Sequence, residues 1–494
     1  MIPAVWAALV LAPAAASAFD AARFGARPGA DGATNTRAIQ AALDAAGSAG
    51  GGTAAITRPG VYDLAAQGDN PYYARHRYCL QVRHDGLTLR IAPGVTLRLA
   101  DSQQSDAGGP VDVVVWQSRK DLRITGGGTV AGNTAGQRGW TGGHAQVTNG
   151  SLLAGYGSAQ AGNERVTIED VTLLDHFSNA IYLSGHPDSR DRGVEIVGVR
   201  ARDTGEGPLV MNADRVTMRD VTYENRNVDP HPGDGLELWN VTDFLIANAT
   251  VRGALGGSGI DLYGARRGTV DGFVIEGGHE GIEIAENTSL HTYSEQVEVR
   301  NGAITLAYPG TGVSTKGVRV RDVTLKAVKV EDGSKSGAIG FSISSSNATK
   351  QPGDDWRQEG PVTLDRCEAH GLDIGLLIKT VANLSVLGGD YSDNRASPHS
   401  DGILWVGQGN ATSRQDTRGL FITGVKATGN RRFGLHIDAE GIAGREADGF
   451  VSNCALGGNG MEGYHVTQLI PGLIPIGNLA VDDGCLSFAA RKRP

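Results

Sequence analysis

Short runs of alternating apolar and polar residues recur along the chain from about residue 165 onward, separated by glycine, asparagine or aspartate. Two neighbouring copies read DFLIANATVRGALGGSGIDLYG and RGTVDGFVIEGGHEGIEIAEN, and the period is about 22 to 28 residues. Alternation is typical of strands with one buried face, and a repeated period of this length is typical of solenoids. The pattern therefore predicts a parallel β-solenoid in which each repeat forms one turn of three short strands, stacked about 4.8 Å from the next turn.

A helical pattern precedes the repeats. Ala38, Ile39, Ala42 and Leu43 form an apolar stripe at helical spacing. We expect a helix over residues 34–47 that covers the first turn, because the open end of a solenoid exposes unpaired strand edges.

Composition supports one long repetitive domain. Glycine accounts for 72 of the 494 residues, about twice its usual frequency, and tight turns between short strands use glycine. Length alone would suggest about three domains, but a repeat protein grows without dividing its core. We therefore expect an all-β chain with a single parallel β-helix domain over residues 19–494, and regular turns over residues 165–466.

The first 18 residues have the pattern of an export signal. They carry no charge, contain a short apolar stretch and end in Ala16-Ser17-Ala18. We expect a monomeric protein that is secreted or periplasmic. No later run is apolar enough to span a membrane. The net charge of −9 argues against a nucleic-acid partner, which would require a basic face.

Four cysteines are spread along the chain at spacings that match no metal motif. A disulfide between Cys454 and Cys485 and isolated buried thiols are both compatible with the sequence.

Placing the repeats in register brings acidic residues together. In strands of the form Gly-apolar-x-apolar, residue x points outward. Glu237, Asp261 and Glu283 take this position in three consecutive repeats, where stacked like charges about 5 Å apart repel. This predicts a functional patch, with a solvated polar face in accidental register as the alternative. The whole outward column is expected to contain Tyr182, Val210, Glu237, Asp261, Glu283, Ser314, Gly340, Leu377, Leu404 and His436.

Two more columns flank the acidic one. The column two residues further on is expected to contain Ser184, Asn212, Trp239, Tyr263, Ala285 and Lys316. The column at the strand entrance is expected to contain Asn179, Asp234, Ser258, Glu280 and Asp401, with His231 and His279 close by. Aromatic faces suit sugar rings, so we expect a groove whose substrate-binding residues are Trp239, Tyr263, Lys316, Tyr182, His231 and Arg266.

The N-terminal segment carries a family resemblance. Phe24-Gly25-Ala26, the stretch 31–40 and the stretch 50–53 resemble the opening of pectin-lyase-fold enzymes, especially the rhamnogalacturonase, polygalacturonase and epimerase-like branch. The segments 90–101 and 123–133 resemble the next parts of that branch. The resemblance implies a right-handed parallel β-helix, a fold that hosts hydrolases, lyases, epimerases and phage tailspikes.

Three chemistries are compatible with the acidic patch. Glycoside hydrolysis needs two carboxyl groups, about 5 Å apart for retention or roughly 6.5 to 9.5 Å apart for inversion. In β-elimination on a uronic acid, the carboxylates would instead hold Ca²⁺ while a base removes the proton at C5. Epimerisation at C5 begins with the same proton removal. The candidate bases are Lys316, Tyr263, Arg266 and His279.

Local motifs resemble two families in part. Asp234-Gly235, His279-Glu280-Gly281 and Lys316 are similar to elements of polygalacturonases, but Gly257-Ser258 replaces the aspartate pair of that family. Asp229-Pro230-His231 is similar to the D-P-H signature of mannuronan C5-epimerases, but we favour a simple turn formed by the aspartate and the proline.

We therefore expect a glycoside hydrolase of the polygalacturonase and rhamnogalacturonase branch that acts on an acidic polysaccharide without a metal or other cofactor. Glu237, Asp261 and Glu283 would serve as acid, base or nucleophile and charge stabiliser, and Asp234 and His279 would assist them. The alternatives are a uronate lyase or C5-epimerase, for which Ca²⁺ is the candidate cofactor, and a non-catalytic glycan-binding solenoid of the tailspike type.

Overall fold

Successive repeats of the chain lie one above another in the computed structural model, and their strands pair in parallel into three long sheets. We name these sheets 1, 2 and 3 in the order in which one turn passes through them. The structure describes residues 18–140, 150–226, 233–253, 256–333, 337–344, 360–379, 381, 383–406, 419–438, 449–466 and 473–475.

The strands divide among the sheets as follows. Sheet 1 alone contains Ala18–Asp20, Gly52–Ile56, Leu87–Ile91, Lys120–Thr125, Glu164–Glu169, Asp191–Val197, Val362–Asp365, Leu384–Leu387, Leu420–Thr423, Gly449–Ser452 and Leu473–Pro475. Sheet 2 alone contains Gly60–Leu64, Val95–Leu99, Thr129–Ala131, Thr222–Glu224 and Glu368–His370. Sheet 3 alone contains Arg77–Val82, Val111–Gln117, Ser151–Tyr156, Ser258–Tyr263, Glu280–Ala285, Thr311–Lys316, Ile339–Ser344, Ile374–Lys379, Asp401–Val406, Phe433–Asp438 and Glu462–Val466.

Longer strands bend from one sheet into the next. Arg266–Glu276, Glu295–Leu306 and Arg321–Asp332 pass from sheet 1 to sheet 2, and Thr172–Ser184 passes from sheet 2 to sheet 3. Arg200–Arg219 and Leu236–Arg252 each run through all three sheets. A two-residue strand, Gly68–Asp69, pairs antiparallel with Arg77–Val82.

Inward-facing residues form one continuous apolar core inside the three sheets. The core includes Leu236, Ile260 and Ile282, all fully buried, and it runs along the chain from Ala21 to Leu456. The predicted alternation is therefore present, with apolar residues inside and the intervening residues on the outer face of each sheet.

A column of stacked glycines explains part of the glycine excess. Gly235, Gly259, Gly281 and Gly312 stand at the entrance to successive strands of sheet 3. A Cβ on Gly259 would lie 2.7 Å from the carbonyl oxygen of Gly281 and 2.6 Å from a methyl carbon of Ile275. Only glycine fits this corner, because any side chain would separate the turns that the core holds together.

The predicted N-terminal helix is present and runs over Gly32–Ser48, with the side chain of Asp31 accepting a hydrogen bond from the Thr34 amide at 2.9 Å. Its predicted stripe, which includes Ile39 and Leu43, is buried. Regular stacking starts earlier than residue 165, since Ala18–Asp20 already pairs with Gly52–Ile56.

Within the described part of the chain, no helix has the length and apolar character needed to cross a membrane. Cys454 is a buried free thiol whose Sγ lies 3.1 Å from the Ser452 carbonyl oxygen, and Cys485 lies outside the described residues.

Candidate functional site

The three acidic residues of the predicted column occupy paired positions on consecutive strands of sheet 3. Glu237 pairs with Asp261, and Asp261 pairs with Glu283. Ser314 follows on the next strand. The glycine column fixes this register, because each carboxylate lies two residues after one of its glycines.

The predicted columns were wrong at three positions. Leu209, not Val210, is the neighbour of Glu237, and Met211, not Asn212, is the neighbour of Trp239. Ser342, not Gly340, is the neighbour of Ser314. Each error came from aligning the repeat on the wrong residue. Gly207 and Gly340 belong to the glycine column, so the outward positions of their strands lie two residues further on, at Leu209 and Ser342.

Asp234 joins the acidic column from the strand entrance. One carboxylate oxygen each from Asp234, Glu237 and Asp261 lies within 4.8 Å of the other two. We call these three residues the carboxylate triad. The amide of Ser258 donates a hydrogen bond of 2.5 Å to Asp234 Oδ1. This bond from a backbone N–H favours the charged form of Asp234.

Burial and mutual repulsion hold protons on the triad. Glu237 is 2% exposed and Asp261 3% exposed, and neither Glu237 Oε1 nor Asp261 Oδ1 has a hydrogen-bond partner. Burial first, and then the charge of Asp234, raise the pKa of both Glu237 and Asp261 well above the ordinary value. Burial also raises the pKa of Asp234, while its bond from Ser258 opposes the increase. Such a cluster cannot carry a full set of negative charges at neutral pH.

Glu206 belongs to the site although the sequence interpretation missed it. Glu206 lies one turn before Asp234 and pairs with Asn179 of the preceding turn. Its side chain is 8% exposed, and its Oε2 has no hydrogen-bond partner. Burial, followed by the charge of Asp234, raises its pKa to about 7. The signal was available, because Glu206 immediately precedes column glycine Gly207 just as Asp234 precedes Gly235.

Lys316 neutralises the other end of the acidic column. Its Nζ lies 3.1 Å from Glu283 Oε1 and also forms an ion pair with Glu280. Burial disfavours the ammonium, but the charges of Glu280 and Glu283 outweigh it and raise the pKa of Lys316. Burial and the charge of Glu280 raise the pKa of Glu283, and Lys316 opposes that increase.

An open cleft of about 370 Å³ borders the triad. The rings of Trp239 and Tyr263 meet edge to face with centroids 5.8 Å apart on its wall. The loop that follows strand Glu280–Ala285 also lines the cleft. The lining residues are Met211, Asp234, Trp239, Asp261, Tyr263, Glu286, Asn287, Thr288, Ser289 and Leu290.

Three predicted site residues lie away from this cleft. Tyr182 is 7% exposed and packs against Tyr156, with ring centroids 5.8 Å apart, so its face is covered by protein. Arg266 begins the next strand of sheet 1, and its guanidinium lies 5.6 Å from the ring centre of Tyr293. His279 is exposed in the turn before strand Glu280–Ala285 and does not line the cleft.

His231 lies outside the described residues, together with Asp229 and Pro230. Of the remaining candidates, Trp239 and Tyr263 line the cleft, and Lys316 lies behind it in contact with Glu283.

Comparison with known proteins identifies the fold. The family model described as the right handed beta helix region matches residues 156–320. The A-module of mannuronan C-5 epimerase AlgE4 from Azotobacter vinelandii aligns with 93% of this chain and 100% of that one, at 16% identity and a TM-score of 0.53. A tailspike protein mutant of E. coli bacteriophage HK620, in complex with pentasaccharide, aligns with 93% of this chain and 78% of that one, at 13% identity and a TM-score of 0.53. A comparison with curated proteins gives no significant match.

The protein therefore has a right-handed parallel β-helix of the pectin-lyase-like kind, which confirms the predicted fold class. At these identities the similarity concerns the fold, and the chemistry has to be argued from the site.

Proposed function

We propose that the protein is a glycoside hydrolase that cleaves a polysaccharide at the carboxylate triad. The observation that carries this proposal is the triad itself, with buried and unpartnered oxygens beside an open cleft that has aromatic walls. Glycosidic cleavage needs one carboxyl group that keeps its proton and another that is ionised. A cluster of mutually repelling carboxyl groups supplies both forms at the same pH.

Asp261 and Asp234 are the triad members that line the cleft. Asp261 is the better general acid, because its pKa is raised well above the ordinary value by burial and by Asp234. Asp234 is the better nucleophile or base, because the Ser258 amide stabilises its charged form. Glu237 is buried next to them, does not line the cleft and has a pKa that burial and the charge of Asp234 raise well above the ordinary value.

The spacing of the triad leads to an expected stereochemical outcome. Oxygens within 4.8 Å of one another leave no room for the water that an inverting enzyme places between its carboxyl groups. Cleavage by Asp261 and Asp234 should therefore retain the anomeric configuration. Inversion would instead point to a pair two turns apart, such as Glu237 and Glu283, whose strands are about 9.6 Å apart, at the upper limit of the inverting range.

Two observations support a glycan as the substrate. Trp239 and Tyr263 offer ring faces and edges beside the carboxyl groups, as sugar-binding clefts require. Proteins of similar fold include a tailspike in complex with pentasaccharide and a mannuronan C-5 epimerase.

Proton abstraction at C5, the lyase or epimerase alternative, is less well supported by the side chains. Lys316 forms ion pairs with Glu280 and Glu283, which raise its pKa and keep it protonated. Burial and the charge of Asp261 raise the pKa of Tyr263, so its phenolate is disfavoured. The triad could hold a divalent cation such as Ca²⁺, which makes metal dependence the deciding observation for this alternative.

The test is an incubation of the purified protein with a panel of neutral, amino-sugar and uronic polysaccharides. A rise in reducing ends without ultraviolet absorbance from unsaturated ends is expected, and EDTA should not abolish it. Unsaturated products, or loss of cleavage in EDTA with recovery in Ca²⁺, would contradict the proposed hydrolysis and support the lyase mechanism. Binding to a glycan with no cleavage under any condition would support the non-catalytic alternative.

A further inference from the structure

Two segments of the chain contribute acidic residues to the lining of the cleft. Asp234 and Asp261 lie on the strand side and Glu286 on the loop side, and the cleft lining contains no lysine, arginine or histidine among the residues that the structure describes. Hydrolysis needs only two carboxyl groups. Glu286 is therefore an additional acidic group whose presence the reaction does not explain.

Glu286 is held in position at the start of its loop. Its amide donates a hydrogen bond of 3.0 Å to the carbonyl oxygen of Lys316 on the next turn. A Cβ on the neighbouring Gly317 would lie 2.7 Å from the Cβ of Glu286, so the two chain segments are closely packed. Glu286 Oε2 is buried and has no hydrogen-bond partner. Oε2 lies 3.2 Å from the position of that Cβ, so the carboxylate packs against the turn at Gly317 while Glu286 lines the cleft.

The nearby cation does not offset this charge. Lys316 is paired with Glu280 and Glu283 and does not line the cleft. Asp234 and Glu286 therefore contribute negative charge to the cleft, and no cationic residue lines it in the part of the chain that the structure describes.

A sugar that carries a carboxylate, sulfate or phosphate would place like charges a few ångströms apart in a partly desolvated cleft, where such juxtaposition is strongly unfavourable. A neutral or amino sugar can donate its hydroxyl or ammonium hydrogens to the oxygens of Asp234 and Glu286. We propose that the cleft accepts sugar residues without an acidic group, and that Glu286 is the residue that sets this charge selectivity. The inference rests on the proposed function and names the substrate class of that site, in contrast to the acidic polysaccharide expected from sequence.

Matched glycans test the inference directly. Oligosaccharides of polygalacturonate and of mannuronan are compared with the same oligosaccharides after carboxyl reduction, so each pair differs only in bearing a carboxylate or a hydroxymethyl group. Binding is measured by calorimetry in an Asp261→Asn background, which removes the proposed general acid and keeps the size of a neutral, protonated Asp261 side chain. The measurements are made both in EDTA and with Ca²⁺.

We expect the reduced member of at least one pair to bind about tenfold or more tightly than the acidic member, with the difference shrinking at high salt. Glu286→Lys should reverse the preference, and Glu286→Gln should weaken it. The control is Glu195→Lys, which makes the same change in net charge on the exposed face of sheet 1 and should leave the preference unchanged.

Tighter binding of the acidic member, in EDTA or with Ca²⁺, overturns the inference. An unchanged preference in Glu286→Lys overturns the role of Glu286. The proposed function is judged separately from these results. If the wild-type protein hydrolyses an acidic polymer in preference to its reduced form, the result supports hydrolysis and rejects the charge selectivity. Absence of both binding and cleavage across the pairs and the polysaccharide panel rejects both proposals.

Discussion

Glu237 and Asp261 show how position changes the chemistry of an ordinary carboxyl group. Each is nearly fully buried on the outer face of a sheet, next to another acid on the adjacent turn. The electrostatic cost of this arrangement appears as raised pKa values in both residues. A surface that served only stability would exchange one of them for a neutral residue, so we attribute their retention in this structure to the proposed reaction.

Asp261→Asn should reduce kcat by about 10²- to 10⁴-fold on the polysaccharide that the panel identifies, because the amide cannot deliver a proton to the leaving oxygen. Asp188→Asn is the control, since Asp188 is 81% exposed in a loop. Circular dichroism and the melting temperature should be preserved in both variants. Activity of Asp261→Asn close to that of wild type would remove Asp261 from the mechanism.

The raised pKa of Glu206 predicts that the stability of the protein depends on pH. Its pKa rises from an ordinary 4.5 to about 7 in the folded protein, so the folded state keeps a proton that the unfolded state releases in this interval. The free energy of unfolding should therefore decrease as pH rises from about 4.5 to 7. Glu206→Gln should have a flatter dependence than wild type in thermal unfolding at a series of pH values. Equal slopes in the two proteins would show that Glu206 does not hold this proton.

At the scale of single strands, the glycine column connects composition to the site. Gly235, Gly259 and Gly281 each stand two residues before a member of the acidic column, and each packs against the backbone of the next turn. The tight corner aligns successive strands, and the alternation of side chains then places the carboxylates on one outer face.

Gly259→Ala should lower the free energy of unfolding by about 1–3 kcal/mol, because its Cβ would overlap the Gly281 carbonyl oxygen and Ile275. It should also lower kcat, since Asp261 lies on the displaced strand. Gly68→Ala is a matched control, because a Cβ there has no atom within 4 Å. Chemical denaturation measures both variants, and equal stabilities would show that the column tolerates a methyl group.

Sequence patterns predicted the strands far better than the loops between them. Alternation located Ser258–Tyr263 and Glu280–Ala285 because it reports which side of a strand is buried. No comparable pattern shows that the loop carrying Glu286 lines the cleft. For the same reason, the burial of Tyr182 by other tyrosines could not be anticipated.

At the scale of the whole molecule, the turns share one continuous core from Ala21 to Leu456. Each turn contributes a few apolar residues and cannot bury them alone, so stability depends on contacts between neighbouring turns. Glu237, Asp261 and Glu283 lie on the outer face of sheet 3, so their charges do not enter this core.

Leu262→Ala, at the centre of the solenoid, tests this continuity. Leu262 is fully buried, and the truncation should cost about 2–5 kcal/mol. Calorimetry should show one transition at a lower temperature, since destabilising a middle turn also weakens its neighbours. Leu245→Ala is the control, because Leu245 is 38% exposed on sheet 1. Two separated transitions in Leu262→Ala would instead indicate that the halves of the solenoid unfold independently.

The sequence by itself determined the parallel β-helix and the alignment of Glu237, Asp261 and Glu283, because strand alternation and the spacing of glycines are local properties of the chain. The tertiary structure decided which acids form the site, adding Glu206 and Glu286 and pairing Glu283 with Lys316. Burial, proton affinity and the shape of a cleft depend on residues brought together from different turns and loops, and no local pattern records those distances.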